Sequence, residues 1–271
     1  MQQITHPGPT APTRADVVAC HAEPVRVQLR AGQTLTRAII EGLAEVGSSA
    51  GYLRLDGVRL APLRYVMPAP APGDGHAAWY SQTYDLPDTR IQQGGAHLGQ
   101  RDGQPFVHCH ALWHDQGMGH VLCDESVLAE DVTVQGWGLT GAGLVAQPDA
   151  ETQFTLFRPH AAGAPKQCTA LLITLRPNQD IGSALRNIAR DHQMAGACVE
   201  GIGSLVGTVF EAAPGLDSYA TELLILNGVV RDGACRLHVA SVGFDGSVQQ
   251  GVLRVGRNAV CVTAEVLMIA N

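Results

Sequence analysis

The stretch PFVHCHALWHDQGMGH carries His108, His110 and His120. Imidazole is the commonest transition-metal ligand near neutral pH. His108 and His110 are two residues apart, so a β-strand turns both toward one face. His120 follows a glycine-bearing loop that can return the chain to that face. Three neutral imidazoles hold a zinc ion while leaving a coordination position open. Iron, manganese and nickel are further candidates for the same donors. Cys109, between the first two histidines, points to the opposite face of a strand and is not expected as a ligand. His114 is a candidate fourth ligand or a loop residue. His97, in GGAHLG, precedes the site strand and is expected on a neighbouring one.

Metal-assisted chemistry also needs a proton carrier close by. Asp124, Glu125 and Glu130 follow His120 in HVLCDESVLAED. Glu125 is the preferred general acid or base, or a partner that orients an imidazole; a solvated acidic turn is the plainer account. Arg54 and Arg59 suit a substrate carboxylate or surface ion pairs. GIGSLVG (201–207) is followed by strand-like rather than helical residues, which argues against a dinucleotide loop and for tight strand packing. Trp79, Trp113 and Trp137 are spaced for core or interface, not for a base-stacking platform.

These residues are positioned by elements that occur twice. VQLRAGQTLTRAI (27–39) aligns without a gap to ITLRPNQDIGSAL (173–185). Each copy predicts a strand, a turn and then a helix. Thr34 and Asp180 are the expected N-caps. Leu35, Ile39, Leu43 and Val46 mark one apolar face, and Ile181, Leu185, Ile188 and Ala189 the other. Arg-Asp-Gly recurs at 101–103 and 231–233, each time before a histidine-bearing strand. Strand runs after a single helix argue for an α+β fold with a mostly antiparallel sheet. Residues 1–22 lack periodicity and read as a flexible tail. The expected division is then 23–157, a linker at 158–168, and 169–271.

The chain has 271 residues, enough for two medium cores. Its net charge of −7 and scattered basic residues disfavour nucleic acid as a partner. Charged residues are only 16%, against ~25% in typical soluble domains, which fits surface hidden in an oligomer. Seven cysteines without a C-x-x-C pair read as buried reduced thiols of a cytoplasmic protein. No apolar run reaches membrane length, and the N-terminus lacks a signal-peptide pattern.

With GIGSL (201–205), LHVASVGFDGSVQQG (237–251) and TAEVLMI (263–269), the second copy resembles the plants-and-prokaryotes conserved (PPC) domain, or domain of unknown function 296. The first copy resembles it more loosely but keeps the histidines. The resemblance implies two tandem domains, each an antiparallel sheet with a flanking helix, covering about 25–271. It implies a metal, zinc in some members, on His108, His110 and His120. It also implies homo-oligomers: a trimer, or a dimer nearer to acetolactate decarboxylase, which the fold resembles more distantly. DNA binding is attributed to the family through plant members with AT-hooks, which gives a DNA-binding regulatory protein as an alternative to a metal-dependent lyase or hydrolase. A structural module with a stabilising metal is a third reading. The loop before His120 is shorter than the family's. The second copy keeps only His238: Arg236 or Ala240 stands at its partner's place and Val252 at the third. That copy is therefore expected to serve as scaffold and interface.

Overall fold

Alternating apolar residues build the strands, and capped amphipathic segments build the two helices. The computed structural model describes residues 1–113, 117–165 and 167–271. The first half opens with β1 (Ala15–Leu29), α1 (Leu35–Glu45) and β2 (Gly51–Arg54). Short strands follow: β3 (Arg59–Leu60), β4 (Leu63–Val66), β5 (Pro68–Ala69), β6 (Trp79–Tyr80) and β7 (Tyr84–Leu86). Then come the long strands β8 (Thr89–Arg101) and β9 (Gln104–Trp113), β10 (Gly117–Val121), β11 (Val132–Pro148) and β12 (Thr155–Ala162). The second half comprises β13 (Ala170–Leu175), α2 (Ile181–Asp191), β14 (Gly196–Leu205), β15 (Thr221–Arg231), β16 (Ala234–Val242), β17 (Val248–Val252) and β18 (Val260–Ala270).

Strand order shows the repeat directly. The first half runs β1-β11-β2-β8-β9-β10 and the second β13-β18-β14-β15-β16-β17. These are the same order, antiparallel at each of those pairings. The halves are joined within one sheet by β1. Its residues 15–20 pair with β13 and its residues 21–29 with β11. Both predicted caps form. Thr34 accepts from the Arg37 amide and Asp180 from the Ser183 amide, each satisfying a donor the helix itself leaves open. Val46, expected on the buried face of α1, is instead its exposed C-cap.

Each helix covers one face of its own half-sheet. Leu35, Ile39 and Leu43 of α1 pack with Leu53, Ala111 and Cys109, while Ile181 and Leu185 of α2 pack with Val199, Leu223 and Val239. The other faces meet each other. Leu112 and Met118 of the first half join Ile202, Leu224, Ala240 and Val242 of the second in one buried cluster. Close approach at this seam requires glycine at Gly95, where a Cβ would lie 2.1 Å from the Tyr52 hydroxyl and 3.1 Å from Leu224.

Two expected boundaries shift. Residues 1–22 are not a free tail: 15–22 belong to β1, and Ile4 and His6 are buried. The Asn178 side chain clasps both backbone polar groups of Ile4. His6 donates through Nε2 to the Cys261 carbonyl at 2.8 Å. Arg14 grips Glu151 with two hydrogen bonds. A strap held by such individual contacts has no hydrophobic period for sequence reading to detect. The linker expected at 158–168 also begins later, because Thr155–Ala162 is strand β12, paired along β11.

Candidate functional site

The metal-like histidine set assembles from two adjacent strands. His108 and His110 project from the same face of β9, and His120 on β10 pairs in register with His110. One ligating nitrogen from each lies within 4.8 Å of the others. The ring centroids are 4.8 to 5.5 Å apart. Cys109 faces the other way, into the helix-side core, as the alternation of the strand requires. His97 lies on β8 directly opposite His108. His114 falls outside the described residues.

The second half supplies the groups that set these rings. The Leu223 carbonyl accepts from His110 Nδ1 at 2.9 Å, which fixes that tautomer and leaves Nε2 with its lone pair. A carboxylate oxygen of Glu265 sits 3.3 Å from His108 Nδ1, and the Glu265 carbonyl accepts from His97 Nε2 at 3.2 Å. His120 Nδ1 is buried with no hydrogen-bond partner among the described residues. Burial lowers His97 to a pKa of about 4 and His110 to about 3, and drives His120 well down. His97, His110 and His120 are therefore neutral at pH 7, and for His110 and His120 that is the state a metal ligand needs. Burial alone would raise Glu265, but His108, with His97 and His110, outweighs it and holds the carboxyl below its ordinary value. Glu222 has no such neighbour; burial pushes it well up, and one of its oxygens is unpartnered.

The imidazoles open onto a cavity of about 550 Å³ between the halves. Five aromatic side chains line it (Trp79, Tyr80, Phe106, Phe154 and Phe157), although aromatics make up only 5% of the chain. Tyr80 packs against His120 with ring centroids 5.4 Å apart. Glu222, Glu265 and Thr263 line the wall from the second half. That half is therefore part of the site, not scaffold alone.

Other expected site residues are placed differently. Glu125 lines the cavity but is half exposed and ion-paired with Arg64 at 3.1 Å. Glu130 pairs with Arg90 at 2.8 Å. Arg54 is bound to Glu200 and stacks over Trp137, and Arg59 is bound to Asp88. Both arginines serve ion pairs rather than the cavity. Sequence reasoning quoted the TAEV strand but gave Glu265 no role, and it did not single out Glu222. The signal present was a carboxylate inside an otherwise apolar strand, at TELLIL and TAEVLMI.

The equivalent position in the second half carries no such cluster. Both His-bearing hairpins turn at Asp-Gly with positive φ, which fixes a common register. His238 then matches His108, and Ala240 matches His110. Gln250 pairs with Ala240 as His120 pairs with His110. The third position is thus Gln250 and not Val252, which sits opposite His238.

Residues 162–270 match the model of the Plants and Prokaryotes Conserved (PCC) domain. No curated protein matches the chain. Solved structures resemble it over about half its length. The metal-containing protein from Archaeoglobus fulgidus is 21% identical, with 52% of this chain and 97% of that one covered and a TM-score of 0.40. A plant- and prokaryote-conserved protein from Pyrococcus horikoshii is 13% identical, with 53% and 96% covered and a TM-score of 0.39. A protein from Ralstonia eutropha JMP134, described provisionally as DNA-binding, is 13% identical, with 52% and 90% covered and a TM-score of 0.38.

Proposed function

From a chain whose residues 162–270 form a Plants and Prokaryotes Conserved domain, preceded by a half with the same strand order, we propose a metal-dependent protein acting on a small oxygen-bearing molecule. His108, His110 and His120 hold one divalent ion, zinc first among the candidates. When bound, the ion supplies Lewis-acid polarisation of an oxygen, the chemistry of a lyase or hydrolase. The carrying observation is that both halves meet at the histidines. The Leu223 carbonyl holds His110 in the tautomer with Nε2 open, and the Glu265 carboxylate holds His108. The bare Nδ1 of His120 fits a donor that a ligand completes.

In this reading Glu222 carries the proton. Its burial raises the carboxyl well above its ordinary value, which favours the protonated form, and it faces the cavity from the second half. Glu125, held by Arg64 at the rim, attracts ligand instead of moving protons. Trp79, Tyr80 and Phe154 exclude water from the bound molecule. The net charge of −7 disfavours nucleic acid as the partner. Self-association is a further part of the proposal, checked by light scattering.

Elemental analysis tests the central point. Purified protein carries about one ion per chain, His110→Ala falls to background, and His238→Ala keeps the full content. Equal trace metal in the parent and His110→Ala defeats the reading.

A further inference from the structure

Arg101 is the only lysine or arginine among the described residues that line the cavity. It sits at the end of β8, four residues beyond His97 and so on the same face of the strand. Its guanidinium lies 5.5 Å from the Phe106 ring centre. The single carboxylate within 4.0 Å among the described residues is Asp102, at the limit of that distance and almost wholly exposed. A pair of that kind is weak and readily exchanged for a ligand carboxylate.

Phe106 stands between this cation and the histidines. It is two residues before His108 on β9, a strand rise of about 7 Å, and shares its face. Phe157 packs edge-on against Phe106 with centroids 5.6 Å apart and continues to His108 at 6.3 Å. The floor thus reads, in order, guanidinium, aromatic pair, imidazole cluster. The arrangement offers an anion contact at one end, a flat apolar surface in the middle and metal-ligating nitrogens at the other.

We infer that the cavity takes an elongated carboxylate: a planar apolar body over Phe106 and Phe157, an acid group on Arg101, and an oxygen donor at the histidines. This rests on the metal reading above and narrows its substrate to a class. Arg101 fixes orientation and contributes to specificity. Its bidentate donors match a carboxylate, and Phe106 limits how far the guanidinium can swing.

The test uses two hydroxamic acids, which chelate metals, that differ only at the far end. Benzohydroxamate has no acid group; 4-carboxybenzohydroxamate adds one across the ring. Calorimetric titration of the zinc-loaded full chain is expected to show about tenfold tighter binding of the carboxylated probe. In Arg101→Gln that preference disappears, while benzohydroxamate affinity and metal content stay at parent values. Arg101 is half exposed, so the variant is expected to fold. Equal binding of the two probes by a zinc-loaded parent overturns the proposal and leaves the metal reading intact. A preference that persists in Arg101→Gln overturns it too, since another group then reads the acid. A parent that neither retains zinc nor binds either probe removes the metal reading itself and the substrate class with it.

Discussion

At the residue scale, the site depends on which nitrogen of each imidazole is open. Leu223 settles that for His110 by accepting from Nδ1, and the Glu265 carboxylate, 3.3 Å from His108 Nδ1, places negative charge beside that nitrogen. Partners of ligating histidines raise ligand basicity and fix ring orientation, and their loss typically lowers metal affinity ~10–100-fold. Glu265→Gln keeps the shape of a fully buried side chain and removes the charge beside His108. It is expected to weaken metal binding by about that factor, measured by competition with a chelating indicator. Unchanged affinity would mean that Glu265 is a packing residue only.

At the element scale, the strap before β1 holds the second half's wall of the cavity. Ile4 packs with Ala220 and Cys261 of that wall and with Ala78 of the first half, all three of which line the cavity. The strap is anchored by Arg14 on Glu151, whose side chain is 4% exposed. Burial alone would raise Glu151; Arg14 and the Ala11 amide outweigh it and hold the carboxyl below the usual range. Arg14→Ala leaves that carboxylate buried and unpaired, at a cost on the order of 3 kcal/mol. A lower urea midpoint at neutral pH checks this. A folded value below the unfolded one means that the pair's contribution is complete above pH ~4.5 and fades as the pH falls through the folded value. The deficit of Arg14→Ala relative to the parent is therefore expected to shrink in acid.

At the scale of the whole molecule, packing the halves face to face buries ionisable groups of both signs. His6, His97, His110 and His120 are all lowered by burial, while Glu222 and Glu200 are raised by it. The unfolded chain protonates each histidine near pH ~6.5, and the folded metal-free chain does so lower, far lower for His97, His110 and His120. The histidine contribution is thus present above ~6.5 and lost as the pH falls toward the folded values; the raised carboxyls oppose that loss. Comparing the parent with His110→Gln cancels the carboxyls. Between pH 6 and 5 the metal-free variant is expected to lose stability less steeply, by about 1.4 kcal/mol per pH unit. Urea unfolding across that range measures the difference, and equal slopes would contradict a neutral buried His110.

Much of this was legible in the chain as written, and the dividing line is physical. Side-chain alternation two residues apart put His108 and His110 on one face, and the repeated strand-helix opening with its Thr34 and Asp180 caps announced two similar halves. Those features arise from backbone geometry over a few residues, so local order carries them. The docking of one half on the other is different. It brings Leu223 to His110 across 113 positions of chain and sets Glu265 beside His108. It also turns an aperiodic leader into a strap. No short-range pattern encodes which distant face will cover which, because that choice depends on the summed burial and shape of two complete sheets.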